Sequence, residues 1–210
     1  MKVLSHRGIW TSNGEKNTYS AFVNSFRLGF GTETDVRDYM GELVISHDIP
    51  KGREISLLNF LKLAETFVDK DPITLALNIK ADGLAIKIDE ILKQFHNLDC
   101  FIFDMSVPDT RAYFDEGSCI FTRMSEVEQT PVWLDKSSGV WLDAFEEDWY
   151  DVNLVQSLLL LGKRVCIVSP ELHGRDYKYL WQCIYELKNH SDLMICTDFP
   201  LRAKAYFGVK

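Results

Sequence analysis

Glu33 and Asp35 stand two residues apart in the run Glu33-Thr34-Asp35-Val36. In an extended strand, residues i and i+2 leave the same face, so two carboxylates there repel unless something positive, most simply a hard divalent cation, sits between them. A strand end that faces solvent is the plainer alternative. Asn78 and Lys80 repeat the spacing, offering an amide oxygen to a cation and an ammonium group to an anion. Two histidines complete the set, His6 in Ser5-His6-Arg7-Gly8 and His47 in Ser46-His47-Asp48. Imidazoles titrate near neutrality, so a pair can supply the base and the acid of one displacement, although each alone also reads as a hydrogen-bonded structural residue. Arg7 presents a planar fork of donors that suits an anion. His96, His173 and His190 fall in helical or loop contexts and read as surface residues.

These groups need elements to carry them. Eight apolar or β-branched runs are strand candidates: Lys2 to His6, Thr32 to Arg37, Ile73 to Lys80, Cys100 to Met105, Cys119 to Arg123, Gly139 to Ala144, Arg164 to Ser169 and Leu193 to Asp198. Helical periodicity lies between them, as in Tyr19, Phe22, Val23 and Phe26 after the N-cap candidate Thr18, with stop signals at Gly29 and Gly31. Similar patterns follow Ser56 and Asp176, whereas a full helix is not expected between Ser125 and Ser138. Alternating β and α segments imply a parallel sheet. Nearly every strand candidate ends in a charged or hydrogen-bonding residue, and a ring of such ends suits a closed barrel better than an open sheet, whose ligands gather at one switch point. No linker divides the chain, so residues 1–210 are expected to form one domain.

Composition narrows the partners. The 210 residues carry 23 Lys and Arg against 31 Asp and Glu, a formal net charge of −8, so a field that attracts nucleic acid or an anionic membrane surface is not expected. The five cysteines include no CxxC pair and suggest neither a disulfide framework nor a zinc site. No apolar run is long enough for a membrane span, and Met1-Lys2-Val3-Leu4-Ser5-His6 turns polar before a signal-peptide core is built, so the expected location is cytoplasmic.

In order and spacing, His6-Arg7-Gly8, Asn17-Thr18, Glu33-Thr34-Asp35-Val36 and His47-Asp48 resemble the glycerophosphodiester phosphodiesterase family, and Ile79-Lys80 and Thr197-Asp198-Phe199-Pro200 extend the resemblance along the chain. The resemblance implies an α/β fold, a (β/α)8 TIM barrel of the PLC-like phosphodiesterase type. It implies His6 and His47 as general acid and base, Glu33 and Asp35 as ligands of Mg²⁺ or Ca²⁺, Arg7 and Lys80 as phosphate holders, and Asn17 as a supporting residue. Three departures stand out. Asn78 occupies the place of a third acidic ligand, Glu15-Lys16-Asn17 replaces the usual Pro-Glu-Asn, and the segment from Ile49 to Ser56 is short where members commonly carry an insertion over the site.

The expected activity is therefore metal-dependent hydrolysis of a glycerophosphodiester, or a related small phosphodiester, to an alcohol and glycerol phosphate. A non-catalytic barrel that binds phosphate-bearing ligands, with Asn78 marking a weakened metal site, is the alternative from another class. A phosphodiesterase directed at lysophospholipids or at a phosphodiester-linked polymer is the third. The leaving alcohol, the metal, the division of labour between the histidines and the oligomeric state stay open.

Overall fold

The computed structural model describes residues 1–209. Nine strands form, β1 (Lys2–His6), β2 (Gly31–Tyr39), β3 (Glu42–Ile45), β4 (Thr74–Ile79), β5 (Asp99–Phe103), β6 (Phe121–Met124), β7 (Gly139–Leu142), β8 (Arg164–Val168) and β9 (Leu193–Thr197). The helices are α1 (Tyr19–Arg27), α2 (Leu57–Glu65), α3 (Ala85–Leu92), α4 (Val107–Asp115), α5 (Val152–Leu160), α6 (Lys178–Ile184) and α7 (Pro200–Phe207). Eight of the strands coincide with the expected runs to within a few residues; β3 is additional. Hydroxyl caps begin helices as expected: Thr18 accepts the N–H of Ala21, and Ser56 that of Asn59. Before α6 the cap differs, because Tyr177 holds the N-cap position and Asp176 instead accepts the N–H of Lys178. Residues 125–138 form turns and no helix.

The chain divides into two compact units, one from His6 to Ile120, the other of Met1–Ser5 with the chain from Phe121 onward. In the first unit, β2, β4 and β5 run parallel in that order, and β3 returns antiparallel on β2. The return is a two-residue hairpin, Met40-Gly41, with φ of 49° and 85°. Parallel register sets Asp35 beside Asn78 and Asn78 beside Phe103, while one row away Glu33 lies beside Ala76 and Ala76 beside Phe101. Neighbours in register share a face, so the carboxylates and the amide look the same way over two buried aromatic rings. On the helix side, Phe22 and Phe26 of α1 meet Phe60 of α2, with ring centroids of Phe22 and Phe60 4.6 Å apart. Each such fully buried ring contributes roughly 1.5–3 kcal/mol, which is what fixes α1 against the strands and so the loop that precedes it.

The second unit is a parallel sheet in the order β1, β9, β8, β7, β6. Trp181 of α6 is buried and donates Nε1–H to Ser169 Oγ at 2.8 Å, tying the helix to the end of β8. The five cysteines are free, two of them buried and three half-buried. Among the described residues no helix is long and apolar enough to cross a membrane.

Candidate active site

All eight residues singled out by the sequence lie in the unit from His6 to Ile120. The turn after β1 sets the first of them. Arg7 has φ of 62° and Gly8 of 84°, and the turn is pinned by Arg7 N–H to the Glu33 carbonyl at 2.9 Å and Gly8 N–H to Thr32 Oγ1 at 3.0 Å. Asn17, with φ of 60°, donates its own N–H to the Arg7 carbonyl at 3.1 Å. Left-handed backbone at a non-glycine residue costs of order 1 kcal/mol or more and persists only where its surroundings over-determine it. Trp10 adds to that fixation by donating Nε1–H to the His6 carbonyl at 2.9 Å.

Asp35 is the centre of the cluster. Its fully buried carboxylate pairs with Arg7, Nε lying 2.8 Å from Oδ2, although that N–H is not aligned as a hydrogen bond. Asn17 donates Nδ2–H to the same oxygen at 2.9 Å and accepts Thr34 Oγ1–H at 2.8 Å, while Lys80 Nζ lies 3.5 Å from Oδ1. The positive groups demanded by two adjacent carboxylates are thus Arg7 and Lys80, side chains of the chain itself. Arg7 and Lys80 make their ion pairs with Asp35, and they act on Glu33 only through their charge.

Glu33 is buried differently. His6 Nε2 is 3.9 Å from its Oε2, and that oxygen has no hydrogen-bond partner. Burial, reinforced by the nearby Asp35 charge and only partly offset by Arg7 and Lys80, pushes its carboxyl up to about 8. Asn78 Oδ1 is likewise buried and unpartnered. Two orphaned buried oxygens are costly unless something satisfies them, and a hard, oxygen-seeking cation fits that donor set. Among the described residues no group of three His, Cys, Asp or Glu side chains could hold a metal ion.

His47 lies two residues past β3, at the end of an antiparallel return and not at the end of a parallel strand. Ser46 N–H bonds to the Asp35 carbonyl at 3.0 Å, and Arg37 Nε–H to the His47 carbonyl at 3.1 Å, so the loop is anchored on β2. The imidazole is half-exposed, with Nδ1 2.8 Å from Asp48 Oδ1, a bond that holds the Asp48 carboxyl below its usual range. His47 opens on a cleft of about 640 Å³, which Arg7 and Asn17 also line. Arg7 and Asn17 are therefore shared: both line the cleft that holds His47, and both hold Asp35.

Two residues join the site to which the sequence assigned no role, although Asp48 stands in the His47-Asp48 motif. Asp104, at the end of β5 with φ of 71°, lies 3.9 Å from Lys80 Nζ, and Asp48 orients His47. The position of Asp104 at a strand end was a visible signal; its left-handed backbone was not. The other polar strand ends find partners within the second unit. Arg123 pairs with Glu128 at 2.5 Å, and Glu171 accepts from Ser169 Oγ, Thr197 Oγ1 and the Asp198 N–H. His173 is not a surface residue but pairs with the buried Asp143 at 2.7 Å, and Trp141 is buried on β7.

Strand–helix alternation and the charged row at the ends of β2 and β4 define the chain as a (β/α)8 TIM barrel of α/β class. Solved structures show the same fold. A glycerophosphodiester phosphodiesterase from Agrobacterium tumefaciens matches with a TM-score of 0.72 and 15% identity, covering 99% of each chain. A glycerophosphoryl diester phosphodiesterase from Parabacteroides distasonis matches with a TM-score of 0.52 and 12% identity, over 99% of this chain and 86% of the other. No protein-family model and no curated protein matches the sequence.

Proposed function

We propose that this chain is a phosphoric diester hydrolase of the glycerophosphodiester phosphodiesterase type, cleaving a glycerophosphodiester or related small phosphodiester to an alcohol and glycerol phosphate. The observation that carries the reading is the position of Arg7, which pairs with Asp35 while lining the cleft that holds His47. A phosphodiester is an anion that repels nucleophiles, so catalysis must first neutralise its oxygens. Arg7 and Lys80 are assigned that role. A phosphate that takes their donors competes with Asp35 and releases its carboxylate. One histidine of the pair His6 and His47 removes a proton from the attacking water or a neighbouring substrate hydroxyl, and the other returns a proton to the leaving oxygen. Asp48 engages His47 Nδ1, which leaves Nε2 as the nitrogen assigned to this proton transfer.

Glu33, Asn78 and the released Asp35 are the residues that would hold Mg²⁺ or Ca²⁺, which when bound supplies further positive charge against the phosphoryl oxygens. Residues 1–210 are read as one domain, working on a small substrate in the cytoplasm without nucleic acid. The test is release of glycerol phosphate from a panel of glycerophosphodiesters with Mg²⁺ or Ca²⁺. His6→Ala and His47→Ala variants should each lose at least about a hundredfold in rate, the usual contribution of a general acid or base. Folded variants with wild-type turnover would overturn the mechanism.

One observation favours a second reading, a barrel that binds phosphate-bearing ligands without cleaving them: Arg7 and Lys80 are already engaged by Asp35. Ligand binding with no turnover under either metal would select it.

A further inference from the structure

The cleft that holds His47 contains cations that the chemistry above does not use. Lys16, Lys51 and Arg53 all line it, and none makes an ion pair among the described residues. The two acids that line it keep their charge but are held by other groups, so these three cations face two carboxylates. Asp48 is bonded to His47, and Glu54 accepts the backbone N–H groups of Lys51, Gly52 and Arg53, each at 2.8 Å. Glu54 therefore closes its own turn. Gly52, at φ of 84°, lies so near the Tyr39 ring that a Cβ would come within 3.1 Å of it. The result is a fixed turn that holds two unpaired cations on one wall, with Lys16 over the Trp10 ring, 4.3 Å from its centroid, as a third. In an acidic chain this is a local reversal of sign, and a concave wall strengthens its effect on an anion.

Resting on the hydrolytic reading for which bond is cut, we propose that Lys16, Lys51 and Arg53 form a second anion subsite that selects phosphodiesters whose alcohol carries a further anionic group. The scissile phosphate meets Arg7, and the remote anion meets the cationic wall. A choline alcohol would bring like charge against the same wall and be disfavoured.

The test compares kcat/KM for glycerophosphoinositol 4-phosphate and for glycerophosphocholine. Wild type should prefer the former, and Lys51→Ala/Arg53→Ala should lower that preference at least fivefold, through KM. Lys62→Ala/Lys70→Ala, the same charge change outside the cleft, should leave the preference intact; an unchanged preference in the cleft variant overturns the proposal. Calorimetric titration of inositol 1,4-bisphosphate without metal reads the subsite independently of turnover. At least fivefold weaker binding by the cleft variant is expected, and equal affinities overturn the proposal. A protein that cleaves no ester yet shows this loss of bisphosphate binding refutes the hydrolytic reading alone.

Discussion

Glu33 sets the energetics of the site at the scale of the single residue. Its carboxyl is pushed up to about 8 from an ordinary 4.5, so the fold holds a proton that the unfolded chain releases. The stability linked to that proton is complete below pH 4.5 and is lost as pH rises through 8. In chelator, the melting temperature should therefore fall between pH 5 and pH 8, and Glu33→Gln should remove several degrees of that fall, as thermal scans across pH would show. Asn78 predicts the converse. Asn78→Glu supplies a third carboxylate, and calorimetric titration should show tighter binding of Mg²⁺ or Ca²⁺ than in wild type. Asn17 separates backbone from side chain. Both Asn17→Ala and Asn17→Gly remove the donor to Asp35, worth about 1.5–3 kcal/mol for a charged partner. Only alanine also meets the cost of φ 60°, so the glycine variant should melt about 2–4 °C higher, roughly 1 kcal/mol in a chain of this size.

At the scale of the element, the turn between β1 and α1 is the tightest joint in the site. A Cβ on Gly8 would come within 2.7 Å of Ala21, a contact with backbone that cannot yield, and φ of 84° adds strain. Gly8→Ala should drive α1 off the strands, lowering the melting temperature by roughly 5 °C or more and costing most of the activity, measurable in the same preparation. The strands themselves are legible from sequence because a parallel sheet buried on both faces demands continuous apolar runs, and Leu75 to Leu77 or Val165 to Val168 can be little else. Strand β3 is not legible in that way. It has four residues, and its hairpin turns on Met40, which lacks the asparagine or aspartate signature of a left-handed turn residue. That omission leaves His47 without an element in the sequence; it lies two residues past the return strand β3. Similarly, the i and i+2 spacing shows that Glu33 and Asp35 share a face, but only the register with β4 shows which of them Lys80 serves.

At the scale of the whole molecule, charge and site are at odds until their distribution is considered. A net charge of −8 predicts no retention on a heparin column at pH 7.5 and 0.1 M salt, where exposed charges are screened beyond about 10 Å. A cleft walled by Lys16, Lys51 and Arg53 still admits one small anion. Every residue assigned to the chemistry lies between His6 and Ile120, while the closing motif Thr197-Asp198-Phe199-Pro200 serves Glu171 in the other unit. The family resemblance along the full chain thus joins two kinds of information, one about chemistry and one about how strands β8 and β9 end.

The indole of Trp10 gives the protein an optical reporter of its own. Its N–H is fixed on the His6 carbonyl and its ring faces the Lys16 ammonium. An anion that draws Lys16 off the ring changes the electrostatic surroundings of the excited state. Stopped-flow emission should follow the filling of the cleft without a dye or a coupled assay, and Trp10→Phe should abolish that signal.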